Sequence, residues 1–482
     1  MRDEAVADMS ATELLRRFRE RSLSPVEAAK AALARIREHN GTLKAFTLVD
    51  EEFTLECARR SENRYMRHTP MGLLDGVPVG VKDVFLTREW PTRKGSKTVD
   101  PAKNPKEDAP VVSALKRHGY VPAGKTATPE LGWKAVTDNP VDGITRNPWN
   151  PDLTPGGSSG GSAASVAMGM GPLALGTDAG GSIRIPAAFT GVFGHKPTQG
   201  RVPFWPPSPF GTLAHPGPMT WTVEDAALMM EVLTETDARD ATLPPPAGGF
   251  LRALTGRVEG LRIAYSPDLG FANVEPEIAE CVAAAVQVFE ELGARVDQAE
   301  PGFSDPVASF GRLFYGGAAN AMRGLDEEAR ALMDPGLVAA AEQGAKQSAL
   351  DYMAAMNEQR ALTERMGRFH MRYDLLLTPA MPIAAFTAGR ETPEGWNTER
   401  WPSWTPFTYP FNMTGQPACS VPCGFTRSGL PVGLQIVGPR HADALVLRAA
   451  HAYQMARPLT DIRPPLLASR RPEATKQERR HA

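Results

Sequence analysis

Two glycine-rich segments of the chain each lead into serines, whose hydroxyls are candidate nucleophiles. The first is Pro155-Gly-Gly-Ser-Ser-Gly-Gly-Ser162, and the second is Gly176-Thr-Asp-Ala-Gly-Gly-Ser-Ile-Arg184. Glycine adopts positive φ and leaves room for a ligand against bare backbone. Successive amides of a glycine turn can also converge on an anion. The two segments therefore predict a site in which backbone groups surround a reactive hydroxyl.

A serine nucleophile needs a base, and the sequence offers a lysine more readily than a histidine. No histidine lies in a motif that would supply the familiar triad, and His195, in Gly-His-Lys-Pro, is interpreted as a structural turn residue. Lys82 ends the short apolar run Gly76-Val-Pro-Val-Gly-Val-Lys-Asp83, which predicts a strand. Lys82 can act as a base if burial lowers its pKa, although a lysine reaching from an edge strand to water gives the same pattern.

Two further motifs match the chain but lack the context that they need. Gly119-Tyr-Val-Pro-Ala-Gly-Lys-Thr126 fits the phosphate-loop pattern, yet a helix is predicted before it and Pro122 removes an amide. The spacing of Gly156, Ser158 and Gly160 fits the nucleophile elbow of α/β-hydrolases, which requires a buried strand before the serine. Three prolines occupy that upstream stretch. We therefore expect neither a nucleotide site nor such an elbow.

The elements that must position these residues are helices alternating with short apolar strands. Capping boxes at Ser10 and Ser24 begin two amphipathic helices, and residues 10–65 are predicted to be helical. Residues 258–298 predict a strand, a helix and a strand, which is typical of a sheet with covering helices. Residues 305–372 predict further helices over the sheet.

Composition and charge exclude several classes of protein. The 482 residues are 42% hydrophobic, which supports a substantial core, and 53 basic against 55 acidic residues give a net charge of -2. This balance provides no overall attraction for nucleic acid or an anionic membrane. The sequence shows no signal-peptide pattern and no apolar run of about 18 residues, so we expect a cytoplasmic protein. The four cysteines are predicted to be buried thiols: Cys57, Cys281, Cys419 and Cys423.

The motifs around Lys82, Ser158 and Ser182, taken together and in order, resemble the amidase signature family of serine hydrolases. The resemblance continues through Gly194-His-Lys-Pro-Thr, Leu376-Leu-Thr-Pro379 and the run from Phe411 to Gly438, and it is weakest from about 240 to 370. It implies a single large α/β domain in which a central mixed, mostly parallel β-sheet is covered by helices on both faces.

The resemblance also implies how the chain is divided. Residues 1–68 are expected to form an N-terminal helical segment that packs on the core, and residues 69–468 the amidase signature domain. A helical cover insertion is expected at about 300–372, and residues 469–482 are expected to form a charged, disordered tail.

By the same resemblance, Ser182 is the nucleophile, Ser158 is a bridging serine on a cis peptide, and Lys82 is the base that takes a proton through Ser158. The oxyanion is expected to bind to the amides of Ala179, Gly180, Gly181 and Ser182. Support for the loops is expected from Gly157, Thr177, Asp178 and Arg184. No metal or cofactor is required.

The substrate pocket is predicted from aromatic residues. Its predicted residues are Gly132, Trp133, Trp205, Trp404 and Phe407, although aromatic-rich loops can also form core. The expected reaction is hydrolysis of a small, apolar or aromatic carboxamide to carboxylate and amine or ammonia through an acyl-enzyme on Ser182. The alternatives are the glutamine-hydrolysing A subunit of a tRNA-dependent amidotransferase, an esterase or carbamate hydrolase, and a binding protein that keeps the fold. The expected partner is a small-molecule amide, and a homodimer is compatible with the sequence.

Overall fold

The apolar runs of the chain form the strands of one large sheet and one small pair. A computed structural model describes residues 3–242, 247–460 and 462–468, so the tail predicted at 469–482 lies outside the described residues. The strands are β1 (Phe46–Leu48), β2 (Pro78–Lys82), β3 (Val121–Thr126), β4 (Asp138–Asn139), β5 (Gly143–Ile144), β6 (Leu173–Asp178), β7 (Phe193–Lys196), β8 (His215–Thr220), β9 (Arg262–Tyr265), β10 (Arg295–Gln298), β11 (Leu375–Pro379), β12 (Ala418–Phe425) and β13 (Pro431–Val437).

Eleven strands form the main sheet in the order β1-β3-β2-β6-β8-β7-β12-β13-β11-β9-β10, and β4 pairs with β5. Parallel pairing joins β3, β2 and β6 in one block and β11, β9 and β10 in another. The strands between these blocks, and β1 at the edge, pair antiparallel. The sheet is mixed as expected, with its parallel pairing confined to the two blocks. Within this antiparallel centre, the short connection between β12 and β13 permits only antiparallel pairing of these two strands.

The helices in the described residues begin and end as follows: α1 (Asp3–Ala7), α2 (Ala11–Glu20), α3 (Pro25–Leu43), α4 (Glu51–Met66), α5 (Pro110–Arg117), α6 (Gly160–Ala167), α7 (Arg184–Thr190), α8 (Val223–Leu233), α9 (Phe250–Ala253), α10 (Pro276–Glu291), α11 (Val307–Ala321), α12 (Glu327–Ala331), α13 (Pro335–Ala345), α14 (Ala349–Phe369), α15 (Tyr409–Met413), α16 (Asp443–Ala456) and α17 (Pro465–Ala468). Short 3-10 turns occupy Glu130–Gly132, Gly211–Leu213 and Trp401–Trp404. No helix in this described part of the chain is both long and apolar enough to cross a membrane.

Helices cover the sheet on both faces, because successive side chains of a strand point to opposite sides. Leu173 and Leu175 of β6 belong to a large apolar cluster with residues of α2, α5, α8, α10 and α16. Ala174, between them, belongs to a second cluster with residues of α6 and α7. Helices α11 and α13, in the region predicted as a cover, contribute to a separate cluster with the aromatic loop near Trp401.

The N-terminal region follows the predicted caps but also contains a strand that the sequence analysis missed. Ser10 Oγ accepts from the Glu13 amide at 3.2 Å, and Ser24 forms a complete capping box with Glu27. Between α3 and α4, however, β1 joins the sheet by pairing with β3. A three-residue strand is too short to show a period of two, and its partner lies far along the chain.

Parallel pairing decides where the candidate residues meet. Because β2 and β6 run in the same direction as neighbours, their carboxyl ends lie at the same edge of the sheet. Lys82 ends β2 and Asp178 ends β6. The sheet thereby brings Lys82 beside the second glycine-serine segment.

Candidate active site

Lys82 is fully buried at the end of β2, among hydroxyl groups. Its Nζ lies 2.7 Å from Ser158 Oγ, 2.9 Å from Ser159 Oγ and 2.8 Å from Thr177 Oγ1. Burial lowers the pKa of Lys82 well below its ordinary value, and the charge of Asp178 opposes this shift only in part. Burial therefore shifts Lys82 towards its neutral form, the form in which its amine can accept a proton from Ser158. The alternative of an edge-strand lysine reaching to water does not hold here, because β2 lies between β3 and β6.

The two glycine-serine segments are bonded to each other. The Ser159 amide donates to the carbonyl of Ser182 at 3.1 Å. Ser159 Oγ also donates to the Thr177 carbonyl and accepts from the Thr177 amide, each at 3.1 Å. Ser159 thus fixes the segment of Ser158 against that of Ser182. No role was expected for Ser159 from the sequence, because its neighbour Ser158 matched the motif.

Gly157 and Ser158 are joined by a cis peptide bond, as the family resemblance implied for Ser158. A Cβ on Gly157 would lie 2.5 Å from the carbonyl oxygen of Val136. No side chain fits there, which explains why glycine precedes Ser158.

Asp178 and Arg184 form a fully buried ion pair that holds the loop around Ser182. Arg184 Nη2 lies 2.9 Å from Asp178 Oδ1, and Arg184 Nε lies 3.0 Å from Asp178 Oδ2. Burial alone would raise the pKa of Asp178, but the Arg184 charge and hydrogen bonds outweigh it and hold that pKa below its ordinary range. In this position both residues support the loop, whereas Ser182 keeps 8% exposure.

The carboxylate of Asp178 also accepts from backbone amides of the loop. The Gly181 amide donates to Asp178 Oδ1 at 2.8 Å, and the Ile183 amide to Oδ2 at 3.2 Å. In the described part of the chain, the amides of Ala179, Gly180 and Ser182 have no such acceptor. Of the four amides predicted for an oxyanion, the structure thus directs that of Gly181 to Asp178 and leaves the other three free to donate.

Three polar residues distant in sequence complete this support. Arg184 Nη1 donates to Gln435 Oε1 at 2.8 Å, and Arg184 Nη2 donates to Asn412 Oδ1 at 2.7 Å. Thr408 Oγ1 donates to the Gly180 carbonyl at 2.6 Å. Asn412 and Gln435 lie in segments that carried the family resemblance, but nothing local in the sequence indicates their partners.

The aromatic residues around 401–409 pack behind the Ser182 loop as core. A Cβ on Gly180 would lie 2.6 Å from Trp401 Cη2 and 2.8 Å from Phe310 Cζ. Trp404 is fully buried and stacks on Phe189 of α7, with ring centroids 6.0 Å apart. The aromatic loop therefore supports the site from behind.

A cavity of about 590 Å³ opens in front of the site. Ser158, Thr177, Ala179 and Gly132 line it near the candidate residues. Most of its wall is apolar or proline-rich and comes from three regions: Val84 and Leu131, the segment Phe204 with Pro206–Gly211 and Ala214, and Ala321 with Asn320 of α11. Lys94 also lines it.

The five predicted pocket residues lie in different places. Gly132 lines the cavity, and a Cβ on it would lie 3.3 Å from Ser158 Oγ. Trp133, Trp404 and Phe407 are fully buried away from it, and Trp205 lies beneath the guanidinium of Arg239. The walls come instead from neighbours such as Phe204 and Phe210. Aromatic content indicated the correct segment at 204–210, but which ring faces the cavity depends on packing.

Two other residues considered from the sequence, His195 and Lys125, lie inside strands and contact other protein groups. His195 lies in β7, fully buried, with Nε2 3.3 Å from Asp443 Oδ1, and burial lowers its pKa. Lys125 of the phosphate-loop match lies inside β3 and donates to the Phe85 carbonyl at 2.7 Å, whereas a phosphate loop places its lysine at the start of a helix. Within the described ranges, no group of three or more His, Cys, Asp or Glu side chains is placed to hold a metal ion.

The four cysteines are free thiols, as predicted, but Cys419 alone among them is a buried residue. Cys57, Cys281 and Cys423 are partly exposed. The prediction of buried thiols was therefore wrong for Cys57 and Cys281, whereas the thiol group of Cys423 is itself buried.

Comparisons with known proteins identify the family of the chain. A family model for amidases matches residues 27–447. The chain is 36% identical to an acylamidase of Rhodococcus erythropolis, over 95% of this chain and 97% of the relative. It is also 35% identical to the A subunit of the glutamyl-tRNA(Gln) amidotransferase of Myxococcus xanthus, over 93% and 97% of the two chains.

Solved structures show the same fold. A bacterial aryl acylamidase of the amidase signature family superposes with a TM-score of 0.89 at 32% identity, covering 96% of this chain and 99% of the other. A 6-aminohexanoate cyclic dimer hydrolase complexed with substrate gives a TM-score of 0.86 at 27% identity, covering 96% and 99%. The fold and these similarities identify the protein as a hydrolase that acts on carbon–nitrogen bonds other than peptide bonds. The chain belongs to the amidase signature family.

Proposed function

We propose that this protein hydrolyses a small, apolar or aromatic carboxamide to a carboxylate and an amine or ammonia through an acyl-enzyme on Ser182. The observation that carries the proposal is the contact of Lys82 Nζ with Ser158 Oγ at 2.7 Å in a fully buried site. A lysine without an acidic hydrogen-bond partner there, and with a lowered pKa, is suited to accept a proton.

In the proposed acylation, neutral Lys82 takes the proton of Ser158, and Ser158 takes that of Ser182. Ser182 Oγ then bonds to the amide carbon, and the carbonyl electrons move to oxygen. The amides of Ala179, Gly180 and Ser182 stabilise this oxyanion, each contributing about 3 kcal/mol where such donors are preorganised. The carbon–nitrogen bond breaks as the proton returns through Ser158 to the leaving nitrogen. Water then attacks the acyl-enzyme by the same proton route.

The cavity supports a compact apolar substrate. Phe204, Phe210 and the prolines of 206–209 present apolar surface beside Ser158. The acylamidase of Rhodococcus erythropolis and the bacterial aryl acylamidase structure are similar over nearly the whole chain. We therefore favour an anilide or a related acylated amine as the substrate.

The rival function is that of a glutamine-hydrolysing amidotransferase component, because several relatives carry that name. Glutamine brings an α-ammonium group that calls for an acidic or carbonyl-rich subsite. Among the described residues that line the cavity, none is acidic. The cavity therefore favours an independent amidase over this rival.

The test is the mass of the intact protein during turnover of acetanilide. We expect an added acetyl group on Ser182, found by peptide mapping, and its absence in Ser182→Ala. Ser158→Ala should slow acylation while leaving Ser182 as the labelled residue. Acylation of Ser158 instead, or glutamine hydrolysis faster than that of every anilide, would contradict the proposal. Phenyl acetate and a phenyl carbamate, assayed in parallel, measure the preference against the ester and carbamate alternatives.

A further inference from the structure

The cavity contains one feature that the proposed reaction does not use, the charged side chain of Lys94. It lies in the segment between β2 and α5, and it is the one charged residue among those that line the cavity in the described chain. The rest of the lining is apolar, or polar and neutral. A cation in an otherwise uncharged wall can form a charge-assisted hydrogen bond with an anionic group of a ligand.

The surroundings of Lys94 supply one carboxylate, that of Asp83, and Lys94 shares its charge with Lys125. The nearby carboxylate of Asp83 pairs with Lys125 at 3.4 Å and also accepts from the backbone amide of Lys94. Among the described residues, the Lys94 side chain forms no ion pair. One carboxylate is thus shared between two lysines, of which Lys94 lines the cavity.

The position of Lys94 relative to Ser158 is set by backbone contacts. The Lys94 carbonyl accepts from the Leu131 amide at 2.8 Å, and Gly132, which follows, approaches Ser158 Oγ. Lys94 therefore lies on the same wall as the candidate catalytic serine. Its backbone has φ of 54°, a left-handed conformation that residues other than glycine rarely adopt. The fold thus holds a lysine in a strained position at the cavity.

Burial lowers the pKa of Lys94, and the charge of Asp83 opposes this shift. An anion beside Lys94 would favour its charged form and relieve the cost of burying an unpaired cation.

We propose that Lys94 is a specificity-determining residue that binds a carboxylate carried by the amide substrate. The inference rests on the proposed amidase function and narrows its substrate class to amides in which an apolar body separates the reactive carbonyl from a carboxylate. The carboxylate can belong to the acyl part or to the leaving amine, and the recognition chemistry is the same in both.

The test uses two pairs of substrates that differ in one carboxylate. 4-Acetamidobenzoate against acetanilide places it in the leaving amine, and succinanilate against butyranilide places it in the acyl part. We expect wild-type kcat/KM to favour the carboxylate in one pair. Lys94→Met should reduce that preference about tenfold or more, because a charge-assisted contact is lost, and Lys94→Arg should retain most of it.

The matched control is Lys97→Met, which removes the same charge from an exposed position in the same segment. It should leave the preference as in the wild type. An equal preference in Lys94→Met and wild type, or discrimination by the wild type against both carboxylates, overturns the inference.

A binding measurement separates this inference from the proposed function. Calorimetry with benzoate needs no turnover, and Lys94→Met should weaken benzoate binding about tenfold. If no amide is hydrolysed but benzoate binding depends on Lys94, the reaction fails and the anion site stands. If anilides are hydrolysed but benzoate binds wild type and Lys94→Met alike, the reaction stands and the anion site is refuted.

Discussion

Lys82 and Ser158, which lie 76 positions apart in sequence, meet at 2.7 Å where no solvent reaches the lysine. We propose that the amine accepts the serine proton through this contact. Replacing Lys82 by methionine keeps the size of the side chain and removes the base. We expect kcat/KM for an anilide to fall about 10²–10⁴-fold.

Stability should change by no more than about 2 kcal/mol, because the lost hydrogen bonds are offset by the removal of a buried polar group. Urea denaturation measures this change. Lys97→Met is the control, because it makes the same substitution at an exposed position. Retained amide hydrolysis by Lys82→Met near neutral pH would refute the role of Lys82 as the base.

The pH dependence follows from the lowered pKa of Lys82. Only the neutral amine accepts a proton, so kcat/KM should rise with pH as Lys82 loses its proton, and it should be lost as pH falls through that pKa. A profile measured from acid to mildly alkaline pH checks this sign. If kcat/KM instead declined as the pH was raised over this range, the result would be incompatible with a lysine base.

Stability carries the same signature. Between the lowered pKa of folded Lys82 and the value of about 10.4 in the unfolded chain, the unfolded state binds more protons. Lys82 therefore costs stability at neutral pH, and this cost disappears as pH rises towards that value. The stability of wild type relative to Lys82→Met should increase over this interval, as measured by denaturation at several pH values.

The buried pair of Asp178 and Arg184 should contribute far more than an exposed pair. Asp178→Asn leaves the Arg184 charge without its partner and weakens the bond that holds the Gly181 amide. We expect a loss of about 3–5 kcal/mol in the free energy of unfolding, with lower kcat. Glu364→Gln, which breaks an exposed pair with Arg368, should cost less than about 1 kcal/mol. Comparable losses in the two variants would show that burial does not determine how much an ion pair contributes to the free energy of unfolding.

The contact of Gly180 with the aromatic core predicts a shape-dependent loss of activity. In Gly180→Ala the added Cβ meets Trp401 and Phe310, so the loop must shift and kcat should fall at least tenfold. Trp401→Leu in the same chain should restore part of the rate by making room. Gly367→Ala is the control, because nothing lies within 4 Å of its Cβ position in α14, and alanine there should be neutral or stabilising. An unchanged rate in Gly180→Ala would contradict this packing.

Core and cavity aromatics should separate in their effects. Trp404 is fully buried, so Trp404→Ala should cost about 3–5 kcal/mol in the free energy of unfolding. Phe204 is partly exposed and lines the cavity, so Phe204→Ala should raise KM for anilides with a smaller loss of stability. Thermal denaturation and steady-state kinetics on both variants distinguish the two roles. If Trp404→Ala raised KM with little loss of stability, Trp404 would have to be part of the pocket wall.

Much of the candidate site was predictable because its residues lie in local patterns. A lysine at the end of an apolar run is typical of a strand end, and serines among glycines are typical of turns with exposed backbone. The structure places the two residues from these patterns, Lys82 and Ser158, in contact. The helix caps at Ser10 and Ser24 were equally local and are confirmed. Strand β1 was missed, because its pairing with β3 is the only feature that makes it a strand.

The sequence by itself determined which residue types could do chemistry, where several helices and strands lie, and that the chain resembles an amidase. Only the tertiary structure decided that Ser159 links the two segments, that the Gly181 amide serves Asp178, and that Trp133, Trp404 and Phe407 are core while Lys94 lines the cavity. The physical reason is the same in each case. These roles depend on contacts between segments far apart in the chain, and spacing along one segment carries no information about which atoms another segment will place against it.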